Sequence, residues 1–178
     1  EKVADHEKED FSKSLLIIGK QINQIENLVN EFSDFARMPK PILKDNNLVS
    51  LIKDNIKLIN ELDDKIIIDF KASKAHILLN SDNEQLSRVF FNLIKNSIES
   101  IQEKKINNID LIGKIDIYLN DNAEKINFSI IDNGLGFGIF ADNLNDILNP
   151  YFTTKKKGTG LGLSIVNKII NDHNGKIN

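Results

Sequence analysis

Asp132-Asn133-Gly134-Leu135-Gly136 places one carboxylate in a turn that carries two glycines. Lacking a Cβ, such a turn can approach a ligand closely. A carboxylate there can accept a hydrogen bond from an exocyclic amine. A second cluster, Gly158-Thr159-Gly160-Leu161-Gly162, opens a helical pattern over 161 to 170. Free N–H groups at a helix start bind phosphate. Six of the nine glycines lie at 134, 136, 138, 158, 160 and 162, at element boundaries rather than scattered as in a linker. Either cluster alone reads as a tight turn. An acidic residue at the first and a helix start at the second together point to a nucleotide pocket.

Two further groups could join that chemistry. Asn92 and Asn96 stand one helical turn apart, among the apolar Phe90, Phe91, Leu93 and Ile94. Asn is a poor helix former and is seldom fully buried. In an Asn-rich chain the plain reading is two exposed amides. The functional one is an amide oxygen that ligates Mg²⁺ while substrate phosphates complete the shell. Lys155-Lys156-Lys157 lies just before the second glycine cluster and could screen phosphate charge, with Tyr151 and Phe152 pinning the segment. His6, His76 and His173 show no metal-ligand spacing and read as structural or surface residues.

The elements that position these residues follow from periodicity. Lys125 to Ile131 alternates like a half-buried strand and delivers Asp132, and 112 to 119 is its hairpin partner across Asn120-Asp121-Asn122-Ala123. Asp82 caps a helix through Leu86, Val89, Phe90, Leu93, Ile94, Ser97 and Ile101, which carries both asparagines. Asn47 caps another over Leu48, Leu51, Ile52, Ile56 and Ile59. Residues 65 to 71 and 76 to 80 read as strands, and 137 to 157 as a long connection that is mobile without ligand. Strands mixed with helices imply an α+β sandwich. Ahead of it, Phe11, Leu15, Ile18, Ile22, Ile25, Val29, Phe32 and Ala36 form an unbroken seam in steps of four and three on one helix from residue 1 to about 37. Ile17, Leu28 and Phe35 widen the stripe, which favours a four-helix bundle. Pro39 and Pro41 end that helix. The division is therefore 1–38 as bundle helix, 39–47 as linker and 48–178 as the sandwich.

Composition narrows the class. Hydrophobic residues make up 40% and charged residues 28%, the ordinary balance of a globular protein. A net charge of -3 argues against a general nucleic-acid binder. With no Cys there is neither a disulfide framework nor a thiolate zinc site. No apolar run reaches the ~20 residues of a membrane span. The chain opens without Met and ends in Gly175-Lys176-Ile177-Asn178, which reads as the start of a further strand, so it reads as an excised piece of a longer protein.

These residues resemble a known family. Asn92-Leu93-Ile94-Lys95-Asn96-Ser97 resembles the N box of sensor histidine kinases, and Asp132-Asn133-Gly134-Leu135-Gly136 their first glycine box. Pro150-Tyr151-Phe152-Thr153-Thr154-Lys155 resembles the F box, and Gly158-Thr159-Gly160-Leu161-Gly162-Leu163 the second glycine box. The stretch from Glu31 to Pro41 is similar to the end of the dimerisation region in NtrY-type kinases.

The resemblance implies a Bergerat-type α/β sandwich, a mixed sheet covered by helices, of the GHKL superfamily, truncated here at its C-terminus. It implies ATP and Mg²⁺ as cofactors. The implied nucleotide site comprises Asn92, Asn96, Asp132, Gly134, Gly136, Phe152, Gly158, Thr159, Gly160, Leu161 and Gly162. Asp132 would recognise the adenine amine, Asn96 would hold the metal, and Asn92 and Lys155 would serve catalysis. The γ-phosphoryl would pass to a His on the dimerisation bundle and then to an Asp of a response regulator. A homodimer through the bundle helix, a cognate response regulator and a cytoplasmic place within a bacterial inner-membrane sensor complete the implied setting, with membrane contact only through segments outside this chain.

Two departures stand out. Glu99 occupies a position where many members carry a basic residue. No acceptor His followed by an acidic residue is present on a first bundle helix; His6-Glu7 lies on the helix that corresponds to the second. By itself the chain is therefore expected not to phosphorylate itself. The alternatives are an ATPase of the same superfamily and a non-catalytic nucleotide-sensing dimer module. The former use a Glu one turn before the metal-binding Asn, where this chain has Asn92, an amide that is no general base.

Overall fold

The computed structural model describes residues 2–62, 65–122, 124–137, 144–155 and 158–177, with backbone alone at 2–10, 27, 34, 61–62 and 144–145. The side chain of His6, the residues Ala123, Gly138, Lys156 and Lys157, and much of the connection expected to be mobile lie outside the described residues. The chain divides into two compact units, Glu1–Pro39 and Lys40–Asn178.

The first unit is helix α1, Lys2–Ala36, whose 35 residues run for roughly 50 Å at 1.5 Å each. Its apolar seam lies on the surface: Phe11, Leu15, Ile18, Ile22, Ile25 and Val29 are all exposed. A lone amphipathic helix offers nothing within its own unit to cover that stripe.

The second unit begins with strand β1, Lys44–Asn47, and continues through α2 (Leu48–Leu62), β2 (Ile66–Ala72), β3 (Leu78–Ser81), α3 (Asn83–Asn107), β4 (Gly113–Asp121), β5 (Ile126–Asp132), α4 (Leu144–Leu148) and α5 (Gly162–Asp172). A three-stranded mixed sheet runs in the order β2-β4-β5, with β2 parallel and β5 antiparallel to β4. Alternation in β4 turns Ile115, Ile117 and Leu119 inward, and none has exposed surface. Opposite them Ile130 pairs with Ile117 and Phe128 with Leu119. The Phe128 ring lies 4.9 Å from that of Phe90 on α3. Helix α3 covers this face with Leu86, Val89, Phe90, Ile94 and Ile101, and α5 packs beside it through Ile165, Val166 and Ile169. Buried Asn55 of α2 is satisfied between helices: it donates to Leu51 O at 2.8 Å and accepts from Ser87 Oγ at 3.1 Å.

Three boundaries differ from expectation. The segment expected as linker contains β1, which pairs antiparallel with β3. Lys-Asp-Asn-Asn has no apolar alternation, so only its backbone partner makes it a strand. The strand expected from 76 begins at Leu78. The expected strand at 175–178 is absent among the described residues. Asn174 adopts φ 58° and Gly175 N–H donates to Ile170 O at 2.8 Å, which is a helix C-terminal cap on α5.

Asp82 ties three parts of this unit together. Its Oδ1 accepts from Gln85 N–H at 3.0 Å, capping α3, and its Oδ2 accepts from Ile42 N–H at 2.8 Å. Its own N–H donates to His173 Nε2 at 3.0 Å, while His173 Nδ1 donates to Ile169 O at 2.8 Å. Partial burial pushes the Asp82 carboxyl up, but the amides of Gln85, Ile42 and Glu84 outweigh it and hold the group below its ordinary value of 3.8. A carboxylate depressed on folding stabilises the fold above its unfolded pKa and loses that contribution as pH falls through the folded one. Asp82→Ala should therefore cost about 1 kcal/mol at neutral pH, as loss of a cap does. In urea unfolding the gap to wild type should narrow as pH drops below 3.8. A gap independent of pH would show that the charge of Asp82 contributes nothing.

Candidate functional site

Asp132 ends β5 opposite Ile115, in the same inward row as Phe128 and Ile130. Period two thus carries a half-buried carboxylate to the end of an apolar row facing the helices. Its Oδ1 accepts from Gly134 N–H at 2.9 Å, an Asx turn that bends the chain off the sheet. Asn133 fixes the start of that turn. Its Oδ1 accepts from Lys114 N–H at 2.9 Å and its Nδ2 donates to Ile112 O at 2.8 Å.

The turn then meets α3. Gly136 N–H donates to Ser100 Oγ at 3.3 Å, and Lys104 Nζ donates to Asn133 O at 2.8 Å and Gly134 O at 3.0 Å. A Cβ on Gly134 would lie 2.3 Å from Ser100 Oγ and 2.7 Å from the Ser100 carbonyl carbon. Only glycine fits there.

The second glycine turn packs on the segment before it. Tyr151 N–H donates to Gly160 O at 3.0 Å. Gly160 has φ +70°, and a Cβ on it would lie 2.4 Å from the Tyr151 carbonyl carbon. Tyr151 itself has φ 69°, a conformation that is strained for a bulky residue and is found most often at functional sites. Gly158 N–H donates to Lys155 O at 3.2 Å, and Thr159 Oγ1 accepts from Leu161 N–H at 3.4 Å. Leu161 is fully buried and anchors the start of α5, where as N-cap residue it makes no side-chain capping hydrogen bond. At Gly162 a Cβ would stand 4.0 Å from Asn96 Nδ2.

The first glycine turn, Lys155 and the start of α5 converge on residues 96 to 100 of α3. Ser100 receives the first glycine turn, and Asn96 faces the start of α5. Lys155 Nζ lies 3.2 Å from Asn96 Oδ1 and 2.5 Å from Glu99 Oε2. Asn92 is half-buried one turn earlier and makes no hydrogen bond to the other site residues among those described. Phe152 is half-buried, with its N–H on Asn149 O at 3.3 Å. Sequence reasoning overlooked Asn133, Ser100 and Lys104. The last two had a signal, because Asn92, Asn96, Ser100 and Lys104 recur every four residues, one row along a helix.

Residues 81–178, which contain this whole constellation, match the family of histidine kinase-, DNA gyrase B- and HSP90-like ATPases. The chain belongs to this family. The ATPase family binds ATP, so the convergence on α3 belongs to an ATP-binding domain. The chain is also similar to the nitrogen regulation protein NtrY of Azorhizobium caulinodans, 34% identical over 171 residues, which cover 96% of this chain and 22% of that protein. The catalytic domain of histidine kinase ThkA superposes with a TM-score of 0.62 at 31% identity, covering 74% of this chain and 81% of that one. A structure of ThkA in complex with the response regulator protein TrrA gives a TM-score of 0.69 at 26% identity, covering 89% of this chain and 43% of that one. The chain spans between 22% and 27% of the length of the first curated relatives it matches.

The glycine turn of this ATPase-family domain makes a stability prediction. Gly134→Ala should cost about 1–3 kcal/mol in urea unfolding, the usual penalty of overpacking. Adding Ser100→Ala should not restore it, because the backbone carbon 2.7 Å away remains. Unchanged stability in Gly134→Ala would mean that the turn stands off α3.

Proposed function

We propose that this chain is the ATP-binding catalytic module of a sensor histidine kinase of the NtrY type. The meeting of the first glycine turn and Lys155 on α3 at Ser100, Asn96 and Glu99, with the second glycine turn opening α5 beside Asn96, carries the reading. The similarity to NtrY and to the ThkA catalytic domain supports it.

In this reading adenine sits against Asp132. One carboxylate oxygen is engaged by Gly134 N–H, and the other accepts from the exocyclic amine. Gly136 keeps the first turn free of side chains beside the base. Phosphates lie at the start of α5, where the N-cap residue Leu161 offers no side-chain cap and Gly158, Gly160 and Gly162 leave room. A helix N-terminus favours negative charge there. Thr159 and the buried Leu161 hold that start in place, and Phe152 supports it from the preceding segment.

The donor set suits Mg²⁺. Asn96 Oδ1 already accepts from one cation, the Lys155 ammonium. No cluster of three or more His, Cys, Asp or Glu exists among the described residues, so the phosphates would supply most of the charge, as they do at most Mg²⁺–nucleotide sites. When bound, the metal would neutralise charge between the outer phosphates. Asn92 lies one turn from Asn96 on the same row, and Lys155 is the cation nearest the phosphates. Together they orient the γ-phosphoryl for in-line attack by an imidazole nitrogen, with ADP leaving.

The acceptor histidine would belong to the dimerisation bundle, of which α1 is the second helix. The exposed seam on α1 supports a homodimer in the full protein. The phosphoryl group would then pass to an Asp of a response regulator, and the ThkA complex with TrrA supports that class of partner. The domains in this reading are 1–38 for the bundle helix and 48–178 for catalysis, with 39–47 joining them and adding β1 to the second unit. No described helix is long and apolar enough to cross a membrane. As part of the sensor-kinase reading, the module would work in the cytoplasm, with any membrane anchor in other segments of the protein.

Calorimetry tests the assignment. Asp132→Ala should weaken ATP binding by roughly 1–3 kcal/mol, the cost of an unpaired polar group. Asn96→Ala should reduce the Mg²⁺-dependent part of the affinity. Equal affinity of Asp132→Ala and wild type, or an unaltered Mg²⁺ dependence in Asn96→Ala, would refute the corresponding role.

A further inference from the structure

Glu99 and Lys155 are 56 residues apart in sequence, yet they form an ion pair at 2.5 Å, the shortest among the described residues of the site. Both side chains are about one-third exposed, at 37% and 30%. The same ammonium lies 3.2 Å from Asn96 Oδ1. The second oxygen of Glu99 lies 4.0 Å from Lys95 Nζ, one turn away on the same helix. A single carboxylate thus faces two lysines and holds the nearer one against an amide oxygen.

That placement conflicts with metal binding at Asn96. An ammonium and a divalent cation at neighbouring positions repel each other, more strongly where water is partly excluded. Asn96 cannot hold both. A partly exposed ion pair is weak, so the Glu99 contact is easily broken. The phosphates of a nucleotide offer the ammonium more negative charge and more acceptor oxygens than one carboxylate does. Glu99 keeps Lys95 nearby when Lys155 leaves.

We propose that Glu99 is a positioning residue. In the nucleotide-free protein it holds Lys155 on Asn96, and Mg²⁺–nucleotide takes the lysine over, exchanging the carboxylate for phosphate. The inference rests on the reading of Asn96 and the α5 start as the metal and phosphate site. Glu99 acts only through Lys155. It keeps the ammonium within reach of the phosphates and sets a small barrier to the metal.

Carbodiimide coupling joins a carboxylate to an amine at ion-pair distance, and mass spectrometry of the linked peptides reads which amine was joined. The free protein should give a Glu99–Lys155 link alongside a Glu99–Lys95 link. Saturating Mg²⁺ and β,γ-imido ATP should abolish the first and spare the second, which serves as internal standard. Calorimetry on the same sample establishes that the nucleotide is bound. Glu99→Gln should tighten Mg²⁺–nucleotide binding about threefold, the scale of a weak ion pair. That gain should vanish in a Lys155→Ala background, whereas direct repulsion of phosphate by Glu99 would leave it intact. Absence of the Glu99–Lys155 link in the free protein overturns the proposal. So does a link that survives with nucleotide bound, or a gain that persists in Lys155→Ala, and in either case the nucleotide site itself still stands. No binding at all overturns the site assignment and this inference with it.

Discussion

Two glycine turns that lie 24 residues apart, from Gly134 to Gly158, pack tightly because no Cβ intervenes, the first on α3 and the second on Tyr151. At Gly134 a methyl group would collide with the Ser100 backbone, and at Gly160 with the backbone of Tyr151. The rest of the site depends on these close approaches. The first brings its backbone amides and carbonyls to side chains of α3, and the second brings Gly160 O to Tyr151 N–H. Neutral contacts of this kind are each worth on the order of 1 kcal/mol, so it is their number that holds the turns.

Helix α3 serves two purposes at once. Leu86, Val89, Phe90, Ile94 and Ile101 bury against the sheet. Asn96, Glu99, Ser100 and Lys104 face the loops. The sheet imposes a matching division on β5, whose inward row of Phe128 and Ile130 ends in Asp132. One residue more or less in that strand would turn the carboxylate to the opposite face. Core packing and ligand chemistry are therefore set by the same periodicities. At the far end of α3, Asp82 and His173 join its cap to the end of α5, so both ends of the pair are tied.

Much of this is legible in the sequence. Alternation marked β4 and β5, and Asp82 marked the start of α3. The glycine clusters were conspicuous because they coincide with element ends. What remained hidden depended on tertiary partners. Strand β1 has a polar sequence and exists through its ladder with β3. Ser100 and Lys104 looked like ordinary helix-surface residues, and only the position of the first turn gives them work. Glu99 stood out as a departure, but its pairing with Lys155 spans 56 residues and no local pattern encodes it. The α1 seam finds no cover within its own unit, although its steps of four and three call for one.

The proposed nucleotide site lies where the first glycine turn and Lys155 meet α3 and the second glycine turn opens α5 beside Asn96. Amide chemical shifts followed by NMR while Mg²⁺–ADP is added to the isotopically labelled chain test it most directly. The account predicts that the largest changes fall on Asn96, Asp132, Gly134, Gly136 and the run from Gly158 to Gly162, with the outer face of the sheet at Asp69, Asp116 and Ser129 unmoved. Changes centred on that outer face, or on α1, with the glycine turns unaffected, would contradict it.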